Sequence, residues 1–145
     1  MTINIKNFLK DKTKLSKMGE FQSLKPIEGL EMSSISADLY GDGRDDLALF
    51  YFSNGANYAT LTTTNSITSE FIPWNNNSHK KSIKGLLVNT KNANTFTGKQ
   101  GKEGIDILAK NLSRVLTLKE SKTQKGTNEA IKIKDLIFAS TGEMG

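Results

Sequence analysis

The amino-acid sequence predicts an α+β fold, in which a mostly antiparallel sheet is covered by one long helix. Three short apolar runs have the length and composition of buried strands: Leu47–Ser53, Ile83–Val88 and Leu136–Ala139. A longer segment, Gly101–Leu118, places its apolar residues at helical spacing instead. Because hairpin-type dipeptides flank the first of these strands, we expect its neighbours to pair with it in the antiparallel sense.

The chain before the first strong strand has weaker patterns. Residues 1–30 follow neither a period of 2 nor one of 3.6 and are predicted to form a poorly defined arm. Ser33–Tyr40 alternates weakly and is predicted to be the first strand. The Asp42-Gly43 dipeptide then suits a tight turn into Leu47–Ser53.

A second hairpin signal, Asn54-Gly55, follows that strand. The threonine-rich stretch Tyr58–Thr64 is therefore predicted to be its partner strand, since β-branched residues favour extended structure. Phe71–Trp74 is predicted to be a short strand interrupted by Pro73.

The predicted helix has a well-defined apolar face, and Thr97 is its candidate N-terminal cap. Its apolar residues are Ile105, Leu108, Ala109, Leu112, Val115 and Leu116. Lys119–Asn128 is polar, charged and aperiodic, so it is predicted to be a linker to the final strand.

The segment Gly85–Gly98 changes from an apolar strand to a polar loop that contains Asn89, Asn92 and Asn94. Asparagine side chains bond to nearby backbone groups and tolerate left-handed conformations, so this loop is predicted to have a fixed shape. The residues alone leave two interpretations open: a strand-to-helix turn without chemistry, or part of a site.

Composition limits the class of protein. The chain has 145 residues and no cysteine, which fits a single domain, excludes thiolate chemistry and makes a reducing cytoplasm the default. It has no apolar run long enough to span a membrane and no pattern of a signal peptide.

The net charge is +5, but all the basic residues except Arg44 and Arg114 are lysines scattered along the chain. We interpret this charge as a solvated surface and expect no nucleic-acid partner.

Two further segments invite metal or catalytic interpretations. Asp38–Asp46 resembles a calcium loop, but Tyr40 and Leu49 would occupy ligand positions, so a plain hairpin is favoured over a calcium site. His79 is the single histidine and lies in a polar stretch, which favours a solvated loop residue over a catalytic one.

Four ordered segments resemble motifs of the ornithine acetyltransferase family, the bifunctional glutamate N-acetyltransferases of arginine biosynthesis. GLLVNTKNANTFTG (Gly85–Gly98) is similar to the family's NSGNANACTG segment, and RDDLALF (Arg44–Phe50) to its RKDLALI strand. LTTTN (Leu61–Asn65) is similar to VFTTN, and FASTGEMG (Phe138–Gly145) to VASTGVIG. The resemblance implies that the chain forms part of an αββα sandwich.

The resemblance also implies a site. In the family the Thr-Gly pair matched by Thr141 and Gly142 supplies the oxyanion hole of an acyl transfer. The implied reaction moves an acetyl group from N-acetylornithine to glutamate. The family needs no metal and no cofactor, although acetyl-CoA stays open as an acetyl donor.

Family members are precursors that cleave themselves before an internal threonine, which then becomes the N-terminal nucleophile of the second chain. That threonine follows the Thr-Gly segment, so residues 1–145 are expected to be a single partial domain, the N-terminal part of the first chain, inactive alone. The expected partners are the C-terminal half that carries the nucleophile, the two substrates and further copies in an oligomer of two-chain units. No membrane partner is expected.

Two departures from the family pattern affect this expectation. Lys91 occupies a position where the family has glycine, which costs about 1 kcal/mol if the backbone there is left-handed. Glu143-Met144 replaces Val-Ile beside the Thr-Gly pair, and a carboxylate facing an oxyanion would oppose its charge. The alternative function is a non-catalytic, lysine-rich binding module.

Overall fold

A computed structural model of the chain describes residues 25–39, 41–77, 82–123 and 129–142. In these ranges four strands form one sheet, in chain order, and two helices pack on it. The elements are β1 (Leu30–Ile35), β2 (Leu47–Asn57), α1 (Phe71–Asn77), β3 (Ser82–Asn89), α2 (Gly98–Thr123) and β4 (Leu136–Ser140). The predicted α+β class is confirmed. No helix in these ranges has the length and apolar character needed to cross a membrane.

The sheet is mixed, with one parallel pair beside two antiparallel pairs. β1 and β3 both run antiparallel to β2, whereas β4 runs parallel to β3. A parallel pair needs a long crossover connection, and α2 lies in that connection. The ends of β3 and β4 therefore meet at the same edge of the sheet.

The core lies on one face of the sheet, where both helices pack. Its buried residues are Tyr51, Phe71, Leu87, Ile105, Ala109, Leu116, Ile131, Leu136 and Phe138. Gly85 allows α2 to approach closely, since a Cβ there would lie 2.9 Å from Leu136 Cδ2 and 3.2 Å from Leu116 Cδ1. The rings of Phe71 and Phe138 stack with their centroids 5.8 Å apart, which fixes α1 on β4.

The opposite face of the sheet is also apolar. The strand register pairs Phe50 with Met32 on one side and with Leu86 on the other, and Ala48 with Val88. None of these side chains belongs to the buried core, and Met32 is 67% exposed. We call this set of five residues the apolar sheet face.

Two strand predictions were wrong in the region of Asn54-Gly55. β2 does not turn there; it continues to Asn57 through a register shift between Tyr51 and Ala56. Gly55 has a φ of +73°, and a left-handed glycine serves a β-bulge as well as a hairpin turn. Tyr58–Thr64 consequently has no strand partner and is not a strand. Strand propensity reflects packing on neighbours, which this segment lacks.

Phe71–Trp74, predicted to be a strand, belongs to α1. Pro73 is the third residue of that helix, where the backbone N–H has no partner within the helix and a proline is tolerated. The first strand is Leu30–Ile35, not Ser33–Tyr40, and so takes in the end of the predicted arm. Residues 1–24, Tyr40 and His79 lie outside the described ranges.

The predicted helix is confirmed, but it is longer and its buried stripe is narrower. α2 extends to Thr123, so the predicted linker begins inside it. Leu108 is 37% and Val115 is 54% exposed, whereas Glu120 is buried.

The buried carboxylate of Glu120 accepts two hydrogen bonds. Tyr51 Oη donates to Glu120 Oε1 over 2.8 Å, and Lys84 Nζ donates to the same oxygen over 3.0 Å. Burial raises the pKa of Tyr51, and the Glu120 carboxylate raises it further. The two hydrogen bonds to Glu120 attach the last turns of α2 to β2 and β3.

Candidate functional site

The fold brings the two most distinctive sequence motifs together. β3 and β4 are parallel neighbours, and the register pairs their last residues, Asn89 and Ser140. The asparagine loop that follows β3 and the Thr141-Gly142 pair that follows β4 therefore start side by side. The Thr141 backbone N–H donates to Asn89 O over 3.0 Å, which joins the two segments.

The asparagine loop has a fixed shape, as predicted. The side chain of Asn89 donates from Nδ2 to Asn92 O over 2.8 Å, and the Asn94 N–H donates to Asn92 Oδ1 over 3.1 Å. Thr97, directly before α2, donates from Oγ1 to Asn94 Oδ1 over 2.5 Å. Each asparagine thus bonds within the loop, and the loop is preorganised without a ligand.

Gly142 lies against the backbone of this loop. A Cβ at position 142 would collide with the Cα and the carbonyl group of Lys91, and φ of Gly142 is +131°. Ser140 Oγ donates to Ala93 O over 2.6 Å and adds a second attachment. Only glycine satisfies both the conformation and the contact at position 142.

Thr141 and Gly142 together present two available hydrogen-bond donors. The Thr141 N–H is used by Asn89, but within the described ranges no acceptor bonds the Thr141 hydroxyl or the Gly142 N–H. Both residues are exposed. The two donors come from adjacent residues on a fixed support, so they could act on one oxygen atom of a bound molecule.

Asn75 holds β4 in place, a role that the sequence pattern did not suggest. Its Nδ2 donates to Phe138 O over 2.8 Å, and its Oδ1 accepts from the Phe138 N–H over 3.1 Å. One amide side chain therefore satisfies both backbone groups of the outer strand, as a neighbouring strand would.

The backbone at Lys91 is left-handed, with a φ of +83°. This confirms the conformation that a glycine at this position in the family indicated. The Lys91 side chain is only 4% exposed, and its Nζ lies 3.7 Å from Asp42 Oδ1. The turn between β1 and β2 thus contacts the asparagine loop through the side chain of Lys91.

Asp46 organises that turn. Its carboxylate accepts the Ala37 N–H over 2.6 Å and the Leu39 N–H over 2.8 Å, although the residue is only 2% exposed. These bonds, chiefly the one from Ala37, hold the pKa of Asp46 below its ordinary value against the effect of burial, and the Lys91 ammonium adds to them.

Acid should therefore remove the contribution of Asp46 to stability. Because the folded-state pKa is lowered, that contribution is complete above the ordinary pKa of about 3.9 and disappears as the pH falls through the lower folded value. We expect Asp46→Asn to lower the free energy of unfolding at pH 7 and the difference from the wild type to shrink below about pH 4. Urea unfolding across the pH range measures this.

The control is Asp38→Asn, at an exposed carboxylate that accepts no hydrogen bond within the described ranges. A difference between Asp46→Asn and the wild type that stays constant from pH 7 to acid would contradict the assignment.

Two clefts flank the helices. A cleft of about 560 Å³ lies between the asparagine loop and the start of α2, with Asn89, Asn92 and Asn94 on its polar side and Leu47 and Leu108 on its apolar side. A larger one, of about 880 Å³, lies at Trp74, Asp106 and Lys134, away from the loop. Neither is lined by Thr141 or Gly142, so the exposed donors are not yet enclosed by the described residues.

No group of three or more potential metal-ligating side chains occurs in the described parts of the chain. In the calcium-like segment, Asp42 Oδ2 accepts from Arg44 Nε over 2.6 Å, and Asp46 is occupied by backbone N–H groups. β1 and β2 form a hairpin, as the sequence favoured, but the chain from Ser36 to Asp46 connects them, so the tight turn predicted at Asp42-Gly43 was wrong.

Comparison with known proteins agrees on one family. The ArgJ family matches residues 31–145. The "Arginine biosynthesis bifunctional protein ArgJ" of Caulobacter vibrioides is 28% identical over 129 residues, which cover 86% of this chain and 29% of that protein. The protein of the same name from Zymomonas mobilis is 34% identical over 83 residues, covering 57% and 20%. The chain thus spans about a third or less of the length of these relatives.

Solved structures show the same fold. An ornithine acetyltransferase from Mycobacterium tuberculosis, complexed with ornithine, superposes with a TM-score of 0.67 at 21% identity, covering 81% of this chain and 58% of that one. An ArgJ protein from Bacillus halodurans superposes with a TM-score of 0.60 at 20% identity, covering 81% and 56%. With a family match over most of its length, the chain belongs to the ArgJ family.

Proposed function

We propose that this chain is the N-terminal segment of an acetyltransferase that moves an acetyl group from N-acetylornithine to glutamate in arginine biosynthesis. In this proposal the nucleophile is the N-terminal threonine of a second segment, outside residues 1–145, released by self-cleavage. We call the two segments together the assembled enzyme. Membership of the ArgJ family supports the proposal.

The observation that carries the proposal is the pair of available donors beside the asparagine loop. The Thr141 hydroxyl and the Gly142 N–H are exposed, and Thr141 is bonded to Asn89 through its backbone. Donors that are fixed before the reaction stabilise a developing negative charge without reorganisation. They are the groups that an acyl transfer requires at its carbonyl oxygen.

Each step of the proposed reaction uses these donors in the same way. The threonine oxygen attacks the acetyl carbonyl carbon of N-acetylornithine, and the carbonyl oxygen becomes negative while Thr141 and Gly142 donate to it. The amine of the same threonine takes the hydroxyl proton during this attack and returns it to the leaving nitrogen, so that the C–N bond breaks, ornithine leaves as its free amine, and the acetyl ester remains on the threonine. The glutamate amine attacks this ester through a second oxyanion in the same place. The ester C–O bond then breaks, N-acetylglutamate leaves, and the proton lost by the glutamate nitrogen returns to the threonine oxygen through the threonine amine. No cofactor or metal is needed, and acetyl-CoA could supply the acetyl group through its thioester in the same step.

We propose that the apolar sheet face packs against the segment that carries the nucleophile. Its residues lie outside the buried core, and an apolar sheet face that no helix covers commonly packs on a second sheet. We place this two-chain unit in the cytoplasm, with further copies forming an oligomer.

Packing of this face can be tested by placing a charge on it. Phe50→Glu should prevent co-purification of the two segments, because a carboxylate would be buried without a partner. Phe96→Glu is the matched control, at a phenylalanine that is 76% exposed. Unchanged co-purification of Phe50→Glu would contradict this packing.

Activity of separate and combined segments tests the proposed function. Residues 1–145 alone should show no transfer of labelled acetyl from N-acetylornithine to glutamate. The assembled enzyme, made with the downstream half from the continued reading frame or from an ArgJ relative, should show turnover. Turnover by residues 1–145 alone, or none by any assembled pair that co-purifies, would contradict the proposal.

A further inference from the structure

Lys91 is a buried cationic side chain in a surface loop, where most lysines are exposed to solvent. It is 7% exposed in a polar surface loop, on a backbone with a φ of +83° that lysine disfavours. Its Nζ lies 3.7 Å from Asp42 Oδ1. The electrostatic field of the same ammonium reaches Asp46, whose pKa it helps to lower. The side chain therefore connects the asparagine loop to the turn between β1 and β2.

The backbone of the same residue supports the candidate oxyanion hole. Gly142 lies so close to Lys91 that a Cβ would collide with its peptide group. One residue earlier, the Thr90 N–H donates to Asp46 O over 2.9 Å. Any displacement of the peptide at Lys91 away from the turn would therefore change the support under Gly142.

We propose that Lys91 is a positioning residue, whose ammonium, held by the Asp42 carboxylate, fixes the peptide on which Gly142 rests. The inference rests on the proposed function, since the donor it positions is the Gly142 N–H. A glycine at position 91 reaches the left-handed conformation freely but makes no such connection. In this chain the ion pair of Lys91 with Asp42 instead links the asparagine loop to the turn between β1 and β2.

Hydrogen–deuterium exchange of the assembled enzyme tests the connection independently of catalysis. Lys91→Met keeps an unbranched side chain one atom shorter but removes the charge, and it should increase deuterium uptake by the peptide that contains Gly142. Lys91→Arg should leave uptake close to the wild type. Lys110→Met, at an exposed lysine on α2, is the control and should change nothing there.

Kinetics test the consequence. Lys91→Met should lower kcat by about ten- to a hundred-fold, the range for a small misplacement of a catalytic group, with KM for N-acetylornithine nearly unchanged. Asp42→Asn should have a similar effect, although it also removes the bond from Arg44 Nε. The double variant should be no worse than the more affected single one, because both substitutions remove the same ion pair.

The outcomes separate the two claims. Unchanged uptake near Gly142 in Lys91→Met, or effects of Lys91→Met and Asp42→Asn that add, would overturn the positioning role. Altered uptake in an assembled enzyme whose wild type has no acetyl transfer would support the connection and refute the proposed function. If Lys91→Met does not fold, Asp42→Asn and Lys91→Arg give the same comparison.

Discussion

Thr141→Ala should slow acetyl transfer by the assembled enzyme roughly a hundred- to a thousand-fold. The hydroxyl that it removes is exposed and makes no other bond within the described ranges, so its work would be done at the charged carbonyl oxygen of the transition state. Removing such a group lowers kcat and kcat/KM together, and KM for N-acetylornithine should hardly change. Self-cleavage should slow as well if it passes through the same oxyanion.

Thr141→Ser is the matched control, since it keeps the donor and should retain most of the activity. Stability separates catalysis from structure. A threonine that served only the turn would cost about 1 kcal/mol of unfolding free energy and leave turnover per folded molecule intact. Steady-state kinetics on folded, concentration-matched protein would show this, and normal turnover by Thr141→Ala would remove the residue from the site.

Gly142→Ala should have an equally large effect by a different route. Its Cβ would collide with the Lys91 peptide, and a φ of +131° is strained for alanine. Backbone strain and overpacking each cost about 1–3 kcal/mol, so we expect roughly 2–6 kcal/mol less stability. Because the segment must move away from the asparagine loop, acetyl transfer should fall at least as far as in Thr141→Ala.

Gly41→Ala is the control for the backbone conformation. Gly41 also has a positive φ, of +67°, but a Cβ there would meet nothing within 4 Å. The difference in unfolding free energy between the two variants therefore reports the collision with Lys91 together with the larger backbone strain at a φ of +131°. Equal stability of Gly142→Ala and Gly41→Ala in denaturant unfolding would contradict the close packing of Gly142 on the loop.

Local patterns predicted the elements that are specified by strongly apolar composition or by bonds within one stretch. Leu47–Ser53, Ile83–Val88 and Leu136–Ala139 are apolar enough to be strands in almost any context, and each lies within a strand of the sheet. The asparagine loop was predictable because each asparagine bonds to a residue two or three positions away.

Elements that depend on distant partners were not predictable. Gly55 favours a turn and a bulge equally, and only the pairing of β2 with β3 decides between them. Pro73 interrupts a strand but is accepted in the first turn of a helix, and the stacking of Phe71 on Phe138 selects the helix. The exposure of Val115 depends on how α2 lies on the sheet, which helical spacing alone does not specify.

The candidate site divides in the same way. A motif resemblance singled out Thr141 and Gly142 as candidates, but their contact with the asparagine loop follows from the parallel pairing of β3 and β4. The ion pair of Lys91 with Asp42 joins residues 49 positions apart, and no local pattern indicates it. A lysine at a position where the family has glycine was a visible signal, because a disfavoured backbone conformation needs compensation.

Trapping the acetyl group on the assembled enzyme tests the central claim most directly. After mixing with N-acetylornithine in the absence of glutamate, mass spectrometry should show one added acetyl group on the terminal threonine of the downstream segment and none on residues 1–145. This acetyl-threonine should form far more slowly in the assembled enzyme that carries Thr141→Ala. An acetyl group on residues 1–145, or formation at the wild-type rate in Thr141→Ala, would contradict an oxyanion hole at Thr141 and Gly142.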